Sequence, residues 1–308
     1  MQTLTVIVPC YNEEVAIPYL HTALRETMSK LDSLECEVLF IDDGSTDHTL
    51  EVIKLLQATY SDIHYISFSR NFGKEAAIYA GLKNATGDFV VVMDADMQHP
   101  PKLLIEMYET LCNKKCDSVA TRRVTRRGEP PIRSFFARWF YAIMHRLCKI
   151  EVVDGACDFR LMTRQMVNAL LEITEYNRFS KGLFSWVGFH TEWIEYENVK
   201  RIAGETHWSF WGLLRYSLEG LIAFSTAPLA FASIMGLFFC ICSFVAIVFT
   251  IVRQLIWGGS AYGWPSLVCI ICFISGIQLF CIGILGQYLA KTYLETKHRP
   301  IYIIKEIH

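Results

Sequence analysis

The sequence lacks an excess of charge of either sign, because 29 Lys and Arg residues are matched by 31 Asp and Glu residues. This balance gives no reason to expect a nucleic-acid partner, since such partners require a basic surface. The closely spaced cysteines of small secreted domains are also missing: eleven cysteines are scattered over 308 residues, which predicts reduced, buried thiols. Residues 1–10 contain neither the basic nor the long apolar segment of a secretory signal, so no signal peptide is expected.

Charge is almost absent from one long segment near the carboxyl end. Between Glu219 and Lys291 the only charged residue is Arg253, and apolar stretches at about 227–253 and 265–290 make up most of this segment. Each stretch is long enough to cross a hydrocarbon core of about 30 Å as a helix. The pattern predicts a transmembrane helical hairpin over 227–290, and the alternative is a buried helix pair in a soluble core. Basic residues on both flanks of the hairpin predict that both termini are cytoplasmic.

The first 205 residues predict an α/β catalytic domain. Apolar runs at 4–9, 37–41, 64–67 and 89–93 alternate with amphipathic stretches, as in a mostly parallel, Rossmann-like sheet covered by helices on both faces. Juxtamembrane amphipathic helices are expected over 206–226, and residues 291–308 are expected to form a cytoplasmic tail. A further basic amphipathic segment, 134–150, either lies in the headgroup layer or packs on the sheet.

Three polar loops follow apolar runs of the predicted sheet, at residues 9–14, 42–47 and 94–98. In open parallel sheets ligands bind at the carboxyl ends of the strands, so these loops are expected to converge on one crevice. Asp94 and Asp96, separated by one residue at a strand end, can face one hard cation such as Mg²⁺ or Mn²⁺. Alone, this pair could be an ordinary polar loop, and the 42–47 loop could be an acidic turn before a helix.

Several motifs together resemble glycosyltransferase family 2, whose catalytic domains have the GT-A fold. They are Pro9-x-Tyr11-Asn12-Glu13, Asp42-Asp43-Gly44-Ser45-x-Asp47, Arg70-Asn71-Phe72-Gly73-Lys74-Glu75 and Asp94-Ala95-Asp96-x-Gln98. Later segments, among them Asp158-Phe159-Arg160-Leu161-Met162 and the tail from Tyr293 to Ile304, are similar to bactoprenol glucosyltransferases, which are related to dolichol-phosphate mannose synthase. The resemblance extends over almost the whole chain.

The resemblance implies a role for each matching position. For the nucleotide sugar the matching residues are Pro9, Tyr11, Glu13, Ile41, Asp42, Asp43, Lys74, Asp94, Ala95 and Asp96. For a Mg²⁺ or Mn²⁺ ion they are Asp94, Asp96 and Gln98, and for catalysis they are Asp94, Asp96, Asp158, Arg122, Arg133 and Arg201. Two positions depart from the pattern: His207 stands where many relatives carry Lys, and His99 stands where one type of relative carries Asp. No role is assigned to His99.

The activity implied by the resemblance is inverting transfer of a hexose, most simply glucose from UDP-glucose, to polyprenyl (undecaprenyl) phosphate. The enzyme would act at the plasma (inner) membrane of a bacterium as a multi-pass protein, and homo-oligomers up to tetramers are expected. GDP-mannose or a UDP-N-acetylhexosamine are alternative donors, and a membrane-tethered nucleotide-sugar sensor is the non-enzyme alternative. Asp158 occupies the position of the family's candidate base, and our hypothesis is that it orients other groups instead.

Overall fold

The computed structural model describes residues 2–123, 153, 155–196, 222, 224–257 and 263–308. Two compact units divide the chain: residues 1–220 together with 299–308 form the first, and residues 221–298 form the second. Arg133, Arg201 and His207 lie outside the described residues, as do segment 134–150 and most of 206–226, so the predictions for them stay predictions.

A mixed β-sheet forms the centre of the first unit. Its strands are β1 (Gln2–Cys10), β2 (Leu34–Asp42), β3 (Ile63–Phe68), β4 (Phe89–Val92), β5 (Ser118–Arg123), β6 (Ala156–Thr163), β7 (Thr191–Tyr196) and β8 (Ile304–Ile307). The helices are α1 (Ala16–Met28), α2 (Thr49–Thr59), α3 (Lys74–Asn84), α4 (Leu103–Lys114), α5 (Arg164–Glu172) and α6 (Ser180–Trp186).

The strand order is β7-β5-β6-β4-β1-β2-β3-β8. Strands β3, β2, β1 and β4 are parallel neighbours, as the sequence predicts, and β1, β2 and β3 are each followed by a helix before the next strand. The remaining part of the sheet differs from a simple parallel array, because β6 runs antiparallel to both β4 and β5. The α/β architecture is therefore confirmed, with antiparallel pairing on both sides of a parallel centre.

The parallel strands are buried on both faces, which explains their uninterrupted apolar sequences. Val6, Ile7 and Val8 in β1 have no exposed surface, and neither do the side chains at 90–92 in β4. Helix α3 packs directly against β1 through Gly81, where a Cβ atom would lie 2.2 Å from a methyl carbon of Ile7. Glycine at this position therefore sets the distance between helix and sheet.

The last ten residues of the chain belong to the first unit. Strand β8 pairs antiparallel with β3 and forms an edge of the sheet. The Tyr302 ring stacks on Phe68 with 4.9 Å between centroids, and Lys54 forms an ion pair with Glu306. The sequence predicts only a tail over 291–308, and the structure adds that its end completes the sheet.

Two long apolar helices form the second unit: α7 (Ala227–Trp257) and α8 (Trp264–Thr296). Both include segments long and apolar enough to cross a membrane, with mean hydropathies of 2.2 and 1.6, and almost none of the residues in these segments is buried. Inside the unit, the Tyr288 hydroxyl donates to the Ser225 carbonyl at 2.6 Å, and the rings of Phe239 and Phe273 are 5.7 Å apart. Apolar side chains that point outward in this way suit a hydrocarbon environment and indicate membrane association.

Candidate active site

The first two polar loops are joined by hydrogen bonds at the carboxyl ends of β1 and β2. The Asn12 side-chain oxygen accepts from the Thr46 backbone N–H at 2.8 Å, and the Asn12 N–H donates to the Ser45 hydroxyl at 3.0 Å. The Glu13 N–H donates to the Thr49 hydroxyl at 2.8 Å. These loops converge as the sequence predicts, because neighbouring parallel strands end at the same edge of the sheet.

The buried side chains of Asp42 and Asp43 accept hydrogen bonds from neighbouring segments at this edge of the sheet. The Asp42 carboxylate accepts hydrogen bonds from the Ser67 hydroxyl at 2.7 Å and from the Ser45 N–H at 3.0 Å. The two oxygens of Asp43 accept from the N–H groups of Phe72 and Gly73, at 2.7 and 2.9 Å. Burial raises the pKa of Asp43 to about 6, although both backbone hydrogen bonds oppose the shift.

Other residues predicted for the nucleotide lie at different depths. The Tyr11 side chain is exposed at the rim, where a base could stack on its ring, and Pro9 is partly buried. Ile41 is fully buried in β2, and Ala95 is 3% exposed. Tyr11 therefore offers its surface to a ligand, whereas Ile41 and Ala95 have almost no exposed surface for such a contact.

The Asp94-Ala95-Asp96 segment follows β4 directly, at the same edge of the sheet. An Asp94 oxygen lies 2.6 Å from the Lys74 ammonium, and the other lies 3.7 Å from Nε2 of His99. Burial favours the neutral form of Asp94, but the charge of Lys74 and the N–H of His99 outweigh it and hold the pKa of Asp94 well below its usual range. One Asp96 oxygen accepts from the Gln98 N–H at 3.1 Å. Lys74 and His99 thus favour the ionised form of Asp94.

Lys74 joins two carboxylates that are 64 residues apart in the sequence. Its ammonium group is 2.6 Å from Asp94 and 2.5 Å from Asp158 of β6. Burial would raise the pKa of Asp158, but Lys74 and then Lys181 lower it below its usual value. Lys74 and Asp158 therefore lie beside the predicted metal ligands, a proximity that the sequence motifs alone do not reveal.

Two adjacent arginines at the end of β5 make different contacts. Arg122, the one predicted to be catalytic, forms an ion pair with Glu195 of β7. Arg123, which the sequence analysis did not select, donates from Nη2 to the Gln98 side-chain oxygen at 2.7 Å and from Nε to the Tyr196 hydroxyl at 3.0 Å. Successive strand residues point to opposite faces, so only the strand's orientation in the sheet decides which arginine reaches Gln98.

His99 is a second residue that sequence reasoning missed. Its side chain is 2% exposed, and its Nδ1 atom lies 2.6 Å from the Tyr196 hydroxyl. In the sequence, the one indication of a role for His99 is its position directly after Gln98, where one type of relative carries Asp. Tyr196 had no sequence signal, because it reaches the site only through the pairing of β7 with β5.

The chemistry of three side chains at this edge suits a divalent cation. Asp94, Asp96 and Gln98 offer carboxylate and amide oxygens, which are the ligands that Mg²⁺ and Mn²⁺ prefer. Within the described part of the chain, no group of three or more His, Cys, Asp or Glu side chains is arranged to hold a metal ion. Since Mg²⁺ sites usually keep several waters and take phosphate oxygens from the substrate, this incomplete set is compatible with a cation that binds together with a diphosphate.

Comparison with known proteins identifies the family. Residues 5–171 match the model of the family described as glycosyl transferase family 2. A protein of Bacillus subtilis (strain 168) named putative glycosyltransferase CsbB is 42% identical over 303 residues, which cover 98% of this chain and 91% of that protein. The bactoprenol glucosyl transferase of Shigella phage SfV is 38% identical, with 98% of both chains covered. The chain belongs to glycosyl transferase family 2 and is a glycosyltransferase.

A further relative supports this assignment. The prophage bactoprenol glucosyl transferase homolog of Escherichia coli (strain K12) is 38% identical, with 99% of both chains covered. Glucosyl-3-phosphoglycerate synthase from Mycobacterium tuberculosis, solved with Mn²⁺ and UDP-glucose, is 18% identical with a TM-score of 0.48, covering 72% of this chain and 77% of that one. The GT-A-like α/β domain and the two apolar helices expected from the sequence are both present.

Proposed function

We propose that this protein transfers glucose from UDP-glucose to a polyprenyl phosphate such as undecaprenyl phosphate, with inversion at the anomeric carbon. The observation that carries the proposal is the cluster of Asp94, Asp96 and Gln98 at the end of β4, with Lys74 and Asp158 beside it. Full-length relatives named bactoprenol glucosyl transferase support this choice of sugar and acceptor.

The acceptor determines what the protein must supply. A phosphate monoester has a second pKa of about 6, so near neutral pH it is largely dianionic and needs no base to remove a proton. The main difficulty is to hold two mutually repelling anions in line for one displacement at the anomeric carbon. A divalent cation bound by Asp94, Asp96 and Gln98 would supply positive charge that stabilises the departing diphosphate.

Asp158 is better suited to orient the ammonium group of Lys74 than to accept a proton. Its carboxylate is 2.5 Å from the Lys74 ammonium, and this pairing lowers its pKa, which weakens it as a base. Lys74 then stands at the edge of the crevice, where an ammonium group can approach a phosphate oxygen. The test is the dependence of rate on pH for Asp158→Asn. Steep rescue of this variant by higher pH or by small carboxylates would restore the assignment of Asp158 as the base.

We place the catalytic unit and both termini on the cytoplasmic side of a bacterial plasma membrane. Residues 299–308 belong to the same unit as residues 1–220, so the chain that leaves this unit before α7 returns to it after α8. Such a path requires an even number of membrane crossings, and two helices meet this requirement. Lys291, Lys297, Arg299 and Lys305 follow the hairpin, which favours the cytoplasmic side.

The decisive experiment offers UDP-glucose, GDP-mannose and UDP-N-acetylglucosamine separately to the full-length protein with undecaprenyl phosphate in detergent. The lipid product is identified by mass, with Mg²⁺, with Mn²⁺ and with EDTA. We expect a hexosyl product from UDP-glucose that disappears with EDTA. A product from GDP-mannose or UDP-N-acetylglucosamine alone would replace the proposed donor, and undiminished turnover in EDTA would refute the metal-dependent mechanism.

A further inference from the structure

A chain of polar contacts connects strand β5 to the Asp94 carboxylate. Arg123 and Tyr196 are directly paired residues of the parallel strands β5 and β7, and Nε of Arg123 donates to the Tyr196 hydroxyl at 3.0 Å. That hydroxyl is 2.6 Å from Nδ1 of His99, and Nε2 of His99 is 3.7 Å from the Asp94 oxygen Oδ2. The chain therefore ends at a residue assigned to the divalent cation.

The direction of these hydrogen bonds follows from the chemistry of the groups. Arg123 can only donate, so the Tyr196 oxygen accepts from it and the phenolic proton needs an acceptor of its own. Nδ1 of His99 is the nearer acceptor, since the Cys157 sulfur is 3.3 Å away and accepts only weakly. With Nδ1 as the acceptor, Nε2 of the neutral ring carries the proton and directs its N–H toward the Asp94 carboxylate.

The same guanidinium also reaches a second predicted ligand. Nη2 of Arg123 donates to the Gln98 side-chain oxygen at 2.7 Å, which fixes the orientation of that amide. One arginine thus contacts Gln98 directly and is linked to Asp94 through two rings. His99 is held by packing as well as by hydrogen bonds, because its ring lies against Phe159 and Tyr196 with centroids 5.7 and 5.6 Å apart.

We propose that Arg123, Tyr196 and His99 are positioning residues that orient Asp94 and Gln98 for the divalent cation. This inference rests on the proposed function, because it takes these two side chains as cation ligands. Groups behind a metal ligand fix its orientation, and their loss typically weakens metal binding about 10- to 100-fold. The alternative role, a buried polar network that contributes only to stability, would leave the affinity for the cation unchanged.

The test measures Mn²⁺ binding to the full-length protein in detergent by the loss of the free-ion EPR signal, with Mn²⁺ alone and with Mn²⁺ plus UDP. Tyr196→Phe keeps the ring and removes the hydroxyl, and we expect it to weaken Mn²⁺ binding about 10- to 100-fold. Tyr108→Phe is the matched control: this hydroxyl lies near Gln2, at the start of β1, and its removal should leave Mn²⁺ binding unchanged.

Two substitutions at His99 separate positioning from stability. His99→Phe fills the buried space but removes both nitrogens, whereas the amide of His99→Gln can place an N–H near the position of Nε2. We expect His99→Gln to retain part of the Mn²⁺ affinity that His99→Phe loses. Combining Tyr196→Phe with His99→Phe should cost little more than the larger single loss, because both act through one chain.

The outcomes distinguish this inference from the proposed function. If the wild-type protein binds no Mn²⁺ with or without UDP, the metal site itself is wrong. If the wild-type protein binds Mn²⁺ and Tyr196→Phe and His99→Phe bind it equally well, the metal site stands and the positioning role is refuted. The positioning role would also be refuted if His99→Phe and His99→Gln lost equal Mn²⁺ affinity. The same conclusion would follow if the losses of affinity in Tyr196→Phe and His99→Phe added fully in the double variant.

Discussion

The buried carboxylate of Asp43 makes the stability of the catalytic unit depend on pH in a definite direction. Burial raises its pKa from 3.8 to about 6. Between these two pH values, the carboxyl group keeps its proton in the folded unit but has released it in the unfolded chain. Below about pH 3 the group is neutral in both states, and its favourable contribution is complete. As pH rises through about 6, this contribution is lost.

The magnitude follows from the pKa difference and from the contacts of the side chain. A difference of about two pKa units corresponds to about 3 kcal/mol in full, of which about 2 kcal/mol is lost between pH 4.5 and 7.5. Asp43→Asn does not titrate, but its NH₂ group would face one of the two N–H donors of the 72–73 backbone that now bond to the carboxylate. An unpaired buried N–H costs about 1–3 kcal/mol at every pH.

The assay compares thermal unfolding of the full-length wild-type protein and Asp43→Asn in detergent, without nucleotide, from pH 4.5 to 7.5. We expect the variant to be clearly less stable at pH 4.5 and the gap in unfolding free energy to narrow by about 2 kcal/mol at pH 7.5. For a unit of this size that is about 4–8 °C in Tm. Asp88→Asn is a control of opposite sign, because hydrogen bonds from Thr3 lower the pKa of Asp88. A gap for Asp43→Asn that stays constant or widens with pH would refute the argument.

Three further substitutions test packing and charge. Gly81→Ala places a methyl group 2.2 Å from Ile7, and we expect a loss of about 1–3 kcal/mol by thermal or urea unfolding. Tyr302→Ala removes the stack on Phe68, and we expect a loss of about 2–4 kcal/mol and faster proteolysis of the last ten residues. Lys74→Met leaves the carboxylates of Asp94 and Asp158 facing each other. Because Lys74 is partly exposed, we expect the loss of stability without metal to be only about 1–2 kcal/mol. We also expect a large loss of turnover.

Matched controls make these outcomes specific. Gly236→Ala makes the same change at a helical position with open space around it and should be nearly neutral. Tyr293→Ala removes an exposed ring, and Lys30→Met removes one partner of an exposed pair with Glu26, so both should change Tm by little. Test variants that behave like their controls would contradict the packing and charge arguments.

The predictions from local sequence patterns held where one periodicity dominates. Four continuous apolar runs followed by polar loops predicted β1 to β4 and the edge at which Asp42 and Asp94 lie, because a strand buried on both faces must be apolar throughout. Two almost uncharged stretches predicted α7 and α8, and the structure extends them only to Trp257 and Thr296. These strands and helices could be predicted because their apolar patterns lie within short, continuous segments of the chain.

Other features depend on which distant strands pair. The antiparallel insertion of β6 beside β4 brings Asp158 to Lys74, and the pairing of β7 with β5 brings Tyr196 to Arg123. The local sequence does not show that Arg123 rather than Arg122 contacts Gln98, because adjacent strand residues differ only in the face of the sheet that they occupy.

The amino-acid sequence by itself determined the α/β class, the two apolar helices and the family, and it predicts the carboxylates of the candidate metal site. Only the tertiary structure decided that the last residues complete the sheet, that Lys74 joins Asp94 to Asp158, and that His99 stands behind the site. The physical reason is that burial patterns and motifs are written along the chain, whereas contacts between remote residues depend on the order and register of the strands.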